Sequence, residues 1–346
     1  MYFQPPQDPQ STRLGEFDLI QRFFKMHSEQ MLAANPGSVT LGIGDDCALL
    51  ANQANEDMAI TSDMLVEGRH FFAGANPGWL GWKALAVNLS DLAAMGAQPL
   101  GFTLAIALPS ADPHWLERFS KGLFAIANRF SCPLIGGDTT AGPLNICITA
   151  FGSTHKKSAI RRSTALDGDD IWVSGCVGDA RLALAALRHE IQLPLVDLDA
   201  IESQMHQPVP RVELGLALRG IAHAAIDVSD GLLGDLKHVL RQSQKDAEIV
   251  LDQLPKSPTL LKQPLDLQRL YASCGGDDYE LCFTAPTHQR TAIENLSTTL
   301  QLPLTHIGTM KPMKGSEPEM TLIDHDGKKL PASTIDTFLQ SFDHFA

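Results

Sequence analysis

Apolar positions first take up helical spacing at Phe17, Ile20, Phe23 and Phe24, which predicts a helix over residues 15–33. Residues 39–46 then read as a strand entering a tight turn, and 58–66 as a second strand. An Ala- and Leu-rich run over 79–95, closed by Gly96, predicts a helix. A strand over 100–108, a helix over 112–129 and a strand over 144–151 complete a mixed α/β first half.

Between residues 152 and 165 the chain turns basic and polar, marking the best candidate boundary between two units. Beyond it, strands are expected over 170–174, 224–228, 248–251 and 280–284, and helices over 180–190, 211–222 and 231–242. The expected organisation is a flexible tail over 1–14, an N-terminal domain over 15–152 and a C-terminal α/β domain over 160–346. The length of 346 residues suits two domains better than one core. The tail assignment rests on the Pro- and Gln-rich start, which is poor in packing residues.

Composition narrows the function. Hydrophobic residues make up 44% and charged residues 19%, ordinary for a globular protein. No apolar run approaches the roughly 20 residues that span a bilayer, and no basic start precedes an apolar stretch. A cytoplasmic protein with no membrane partner is expected. A formal net charge of −13 argues against nucleic-acid partners, whose binding depends on Lys and Arg neutralising phosphates. The six cysteines form no Cys-x-x-Cys pair and read as buried thiols.

The acids are not spread evenly. Five small-residue segments carry them: Gly44-Asp45-Asp46, Thr61-Ser62-Asp63, Asn88-Leu-Ser90-Asp91, Gly136-Gly137-Asp138-Thr139 and Asp227-Val-Ser229-Asp230-Gly231. Hard oxygen ligands beside residues small enough to admit a phosphate suit magnesium bridging phosphate oxygens. If the five segments share one site, divalent cations must separate them from a polyphosphate. Each also has a structural reading. Asp45-Asp46 serves as turn chemistry, Ser229 or Asp230 as a helix cap, and Lys83, two turns away on the same helix, as a partner for Asp91. No Gly-x-x-x-x-Gly-Lys-Ser/Thr or Gly-x-Gly-x-x-Gly loop is present, so a nucleotide would be held in another way.

In this order these segments resemble the thiamine-monophosphate kinase family, itself similar to the aminoimidazole ribonucleotide synthetase superfamily. Further stretches carry the resemblance: Gly15-Glu-Phe-Asp-Leu-Ile, Thr61-Ser-Asp-Met-Leu-Val-Glu-Gly-Arg-His70-Phe, Gly275-Gly-Asp-Asp-Tyr-Glu-Leu and Phe342-Asp-His-Phe345. It implies an α/β, or α+β, two-domain fold of the aminoimidazole ribonucleotide synthetase type, whose N-terminal mixed sheet pairs across a homodimer. It implies ATP and Mg2+ as cofactors and thiamine monophosphate as substrate. The implied metal ligands are Asp46, Thr61, Ser62, Asp63, Asp91, Asp138, Asp227 and Asp230. Gly137, Asp138, Arg162 and Ser229 would meet ATP, while His70, Asp277 and Phe342 would line the substrate site. Asp63, Asp91, Asp230 and Arg162 would serve the transfer itself. Many relatives carry Glu where this chain has Asp277, and Thr where it has Ser62.

Transfer between two phosphates needs charge neutralisation and alignment rather than a strong base. Tyr279 and Trp82 read as packing residues. The rivals are another ATP-using member of the superfamily, such as a selenophosphate or aminoimidazole ribonucleotide synthetase, and a non-catalytic nucleotide- or metal-binding protein of the same fold.

Overall fold

The computed structural model describes residues 19–34, 37–41, 43, 49–50, 54–331 and 338. The tail over 1–14, Asp46 and Phe342 lie outside the described residues. A π-helical turn, Ile20–Lys25, leads into helix α1, Met26–Ala34. A two-stranded ribbon joins β1, Val39–Leu41, to β2, Leu49–Leu50.

The first large sheet has four strands. These are β3, Glu56–Val66; β4, Gln98–Leu108; β5, Leu134–Ala141; and β6, Asn145–His155, in the order β3-β6-β4-β5. Only the β4–β5 pairing is parallel. Two helices cover one face, α2, Pro77–Ala94, and α3, Pro113–Arg129. Asn76 caps α2 by accepting from the Gly78 amide at 2.9 Å, and Pro77 fits the first turn, where no amide hydrogen is needed. Helix α2 is buried almost all round, as expected for a helix apolar on every side. It can lie so deep because its neighbours carry glycine at the crossings. A Cβ on Gly122 of α3 would fall 1.8 Å from the Gly78 carbonyl oxygen. One on Gly215 would fall 2.0 Å from that of Ala93.

The second sheet has six strands. In chain order they are β7, Asp170–Ser174; β8, Ala224–Asp227; β9, Lys245–Val250; β10, Leu281–Ala285; β11, Leu304–Pro312; and β12, Met320–Ile323. Their spatial order is β12-β9-β11-β7-β10-β8, antiparallel except for β12–β9. Helices α4, Asp179–Leu187; α5, Leu195–His206; α6, Val212–Ala217; α7, Leu232–Ser243; α8, Leu265–Cys274; and α9, Arg290–Leu300, lie between the strands in sequence. Periodicity missed β5, α5, α8, α9, β11 and β12. Residues 134–141 carry Gly136, Gly137 and three polar residues, a composition that reads as a loop although parallel pairing with β4 holds it extended.

The two sheets are not independent cores. One apolar cluster runs from Leu85, Leu89 and Phe102 to Val212, Leu214, Leu281 and Phe283. Polar anchors reinforce the junction: Trp82 Nε1 donates to the Pro208 carbonyl at 2.7 Å, and Arg219 Nε to that of Gly96 at 2.6 Å.

Candidate active site

Strand β3 supplies chemistry from both its faces, because successive side chains alternate. Thr61, Asp63 and Leu65 point toward α2, while Met58, Ile60, Ser62 and Met64 point away from it and are exposed. On the covered side the Thr61 hydroxyl donates to Asp91 Oδ2, and Asp63 and Asp91 hydrogen-bond one another. Burial, then the neighbouring Asp91 and Asp230, pushes Asp63 up to about 7. Burial also raises Asp91, although Thr61 and Arg162 favour its charged form.

The second sheet brings its acids to the same place. Asp227 closes β8, and burial followed by Asp91 drives it well above the ordinary carboxylate range. The turn after it is shaped by Asp235, whose Oδ2 accepts from the amides of Ser229 at 3.0 Å, Asp230 at 3.1 Å and Gly231 at 3.1 Å. Burial and Asp230 push Asp235 up to about 7. Asp63 and Asp91 therefore face Asp227 and Asp230 across the junction, with Arg162 acting on both Asp91 and Asp227. Sequence reasoning missed Asp235. Its signal was an acid one turn inside an apolar helix, placed to reach back to the preceding amides.

This donor set fits magnesium. Its ligand atoms are hard carboxylate oxygens, and Thr61 and Arg162 offset their crowding only in part. Among the described residues no group of three or more His, Cys, Asp or Glu side chains is gathered tightly enough to hold an ion alone.

Two expected ligands stand elsewhere. Met64, Cys147, Ala105 and Asp138 form one cross-strand row, and Asp63, Ile148, Leu104 and Gly137 form the next. Asp138 is thus exposed on the uncovered face, about 14 Å from β3 across three strand spacings. Ser62 shares that face, with its hydroxyl 3.0 Å from the Thr149 hydroxyl. Gly137 must lack a side chain, because a Cβ there would lie 1.9 Å from the Leu104 carbonyl oxygen.

On the other flank His70 Nδ1 accepts from the Val66 amide at 3.0 Å. It lines an aromatic pocket with Phe71, Trp79, Lys83 and His206. The Trp79 and His206 rings stack at 4.7 Å, and burial, then Lys83, pushes His206 down to about 4. Asp277 lies beside this pocket, 3.0 Å from Lys83 Nζ.

Residues 44–154 match the family AIR synthase related protein, N-terminal domain. A thiamine-monophosphate kinase of Haemophilus influenzae is 44% identical over 335 residues, covering 96% of this chain and 98% of the relative. The chain belongs to the thiamine-monophosphate kinase family. The crystal structure of thiamine-monophosphate kinase from Stenotrophomonas maltophilia superposes with a TM-score of 0.80 at 45% identity, covering 87% of this chain and 96% of that one. The structure of AaThiL complexed with AMPPCP and TMP superposes at 0.72 with 28% identity, covering 96% and 97%. Within this thiamine-monophosphate kinase fold two structural readings of the sequence are corrected. Lys83 pairs with Asp277 rather than Asp91, whose partners are Thr61 and Asp63. The cap of α7 is Gly231, without a side-chain bond, so neither Ser229 nor Asp230 is committed to capping.

Proposed function

We propose that this chain is an ATP- and magnesium-dependent kinase that transfers the terminal phosphoryl group of ATP to the phosphate of thiamine monophosphate, giving thiamine diphosphate and ADP. One observation carries the reading: Asp63 and Asp91 meet Asp227 and Asp230 at the junction, with Arg162 among them. Magnesium would be held by Asp46, Thr61, Ser62, Asp63, Asp91, Asp138, Asp227 and Asp230, and would supply neutralisation of phosphate charge. Arg162 orients and stabilises the transferring group, and Gly137 and Ser229 approach ATP through their backbones. His70, Asp277 and Phe342 receive thiamine monophosphate. The acceptor is already an anionic oxygen, so the residues align it rather than deprotonate it.

The uncovered face of the first sheet supports a homodimer. Ile60 is 62% exposed and Met64 52%, on a sheet face that no helix covers among the described residues. Pairing two such faces places Ser62 and Asp138 at the interface, so their metal role belongs to the assembled dimer. No described helix is long and apolar enough to cross a membrane, and we assign the enzyme to the cytoplasm.

The test is ADP release from ATP and magnesium with thiamine monophosphate, with thiamine and with no acceptor, the product being identified by mass. Thiamine diphosphate formed from thiamine monophosphate alone supports the reading. Hydrolysis of ATP without transfer defeats it and favours another member of the superfamily.

A further inference from the structure

We propose that Lys83 and Tyr279 are positioning residues for substrate recognition, which together fix both carboxylate oxygens of Asp277 against thiamine monophosphate. The inference rests on the function proposed above and adds two residues to it. Lys83 is only 5% exposed, on a helix that otherwise buries Leu80, Ala84, Leu85 and Leu89. A buried ammonium persists only where it is paired. Its Nζ donates to the Met205 carbonyl at 2.9 Å and meets Asp277 Oδ2 at 3.0 Å. The Tyr279 hydroxyl donates to the other oxygen, Asp277 Oδ1, at 3.1 Å.

The loop that carries this pair is shaped to make it. Asp277 has φ 70° and Tyr279 φ 51°, both in the left-handed region that bulky side chains avoid. Such strain persists where the surroundings over-determine the conformation, typically at functional sites. Here the Asp277 amide donates to the Ser229 carbonyl and the Tyr279 amide to that of Val228, each at 2.8 Å. The loop is thereby laced to the segment bearing Asp227, Ser229 and Asp230. On the opposite side Lys83 stands two turns before Asp91 on α2, and it also lines the pocket with His70. Asp277 is consequently held in register with both halves of the acidic cluster, and its remaining lone pairs face the substrate in one orientation.

Steady-state kinetics of Lys83→Met, Tyr279→Phe, Asp277→Asn and the two double variants with Asp277→Asn test this, with thermal melting as control. Each of the first two raises KM for thiamine monophosphate about tenfold, the scale of one lost hydrogen bond to a charged group. KM for ATP stays within about twofold, and adding either change to Asp277→Asn costs nothing further, because both act through that carboxylate. Equal effects on the two substrates, or additive losses in the double variants, overturn the inference. Should Lys83→Met not fold, Tyr279→Phe and its double variant decide alone, since the ring is retained. A wild-type chain that forms no thiamine diphosphate sinks the kinase reading and this inference with it. Active wild type with additive losses sinks only the inference.

Discussion

Two regions of this molecule bury carboxylates, and they keep different company. Beneath the second sheet several acids have a dedicated base. Glu280 holds Arg211 Nε at 2.7 Å, Asp170 holds Arg290 at 2.6 and 2.7 Å, and Asp169 meets His223 at 2.9 Å. At the junction, by contrast, Asp63, Asp91, Asp227 and Asp235 are pushed up by burial and, for three of them, by other acids. The first arrangement satisfies its charges within the chain and holds the fold. The second crowds its acids and offsets them only in part through Thr61 and Arg162, which is a poor way to build a core and a good way to bind metal and phosphate.

The largest effect that sharpens this contrast is on turnover. Asp63→Asn or Asp91→Asn should reduce kcat about a thousandfold or more, because each removes an anionic ligand for the magnesium that would align and neutralise the transferring group. Melting temperature without metal should be unchanged or higher. A variant that melts lower by several degrees while keeping its activity would show that the junction acids hold the fold after all. The paired region should answer in the opposite way. Arg211→Met leaves Glu280 buried without its base, and urea unfolding should register a loss of about 3–5 kcal/mol. No measurable loss would erase the distinction.

Why the two regions were not equally legible in the sequence follows from their geometry. The acidic segments are local, each beside small residues, so Asp63, Asp91, Asp227 and Asp230 could be named without knowing the fold. The partners of buried acids lie far away in sequence: Arg211 from Glu280, Arg290 from Asp170, and Lys83 from Asp277. No periodicity encodes such pairings, which is why Lys83 was expected beside Asp91 on its own helix. The face that each residue takes was not legible for a related reason. Thr61, Ser62 and Asp63 form one motif, but an extended strand sends Ser62 to the other side of the sheet. The long elements over 77–94, apolar all round, and 113–129, strongly periodic, were read almost to their ends. The short or polar ones, β5 and β12 among them, drew their structure from partners that the pattern does not show.

Acidity separates the regions on a smaller scale. Asp63 and Asp235 sit at about 7 in the folded chain against an ordinary 3.8. Between those values the folded state keeps protons that the unfolded state has released. Their contribution to stability is therefore full below about 3.8 and is lost as pH rises through about 7. Chelator-treated protein should lose on the order of 2 kcal/mol between pH 5 and pH 8 in urea titrations, with the loss reduced in Asp63→Asn. Added Mg2+ should restore stability at pH 8 by binding the folded state. A flat profile would mean that the junction acids are relieved within the chain.

The smallest expected effect runs the other way and tests the paired class at its exposed edge. Arg269 reaches Asp252 with two bonds of 2.8 Å, and that bonding holds the carboxyl at about 2. A depressed acid stabilises the fold above its ordinary 3.8, and the contribution disappears as pH falls through about 2, opposite in sign to Asp63. Because the pair is partly open to solvent, Asp252→Asn should cost about 1 kcal/mol or less at pH 6, and it should flatten the acid limb of the stability curve below pH 4. An acid limb that keeps its slope in this variant would move the low-pH sensitivity to other carboxylates. The pairing of Asp252 would then be a surface contact rather than part of what holds the second sheet.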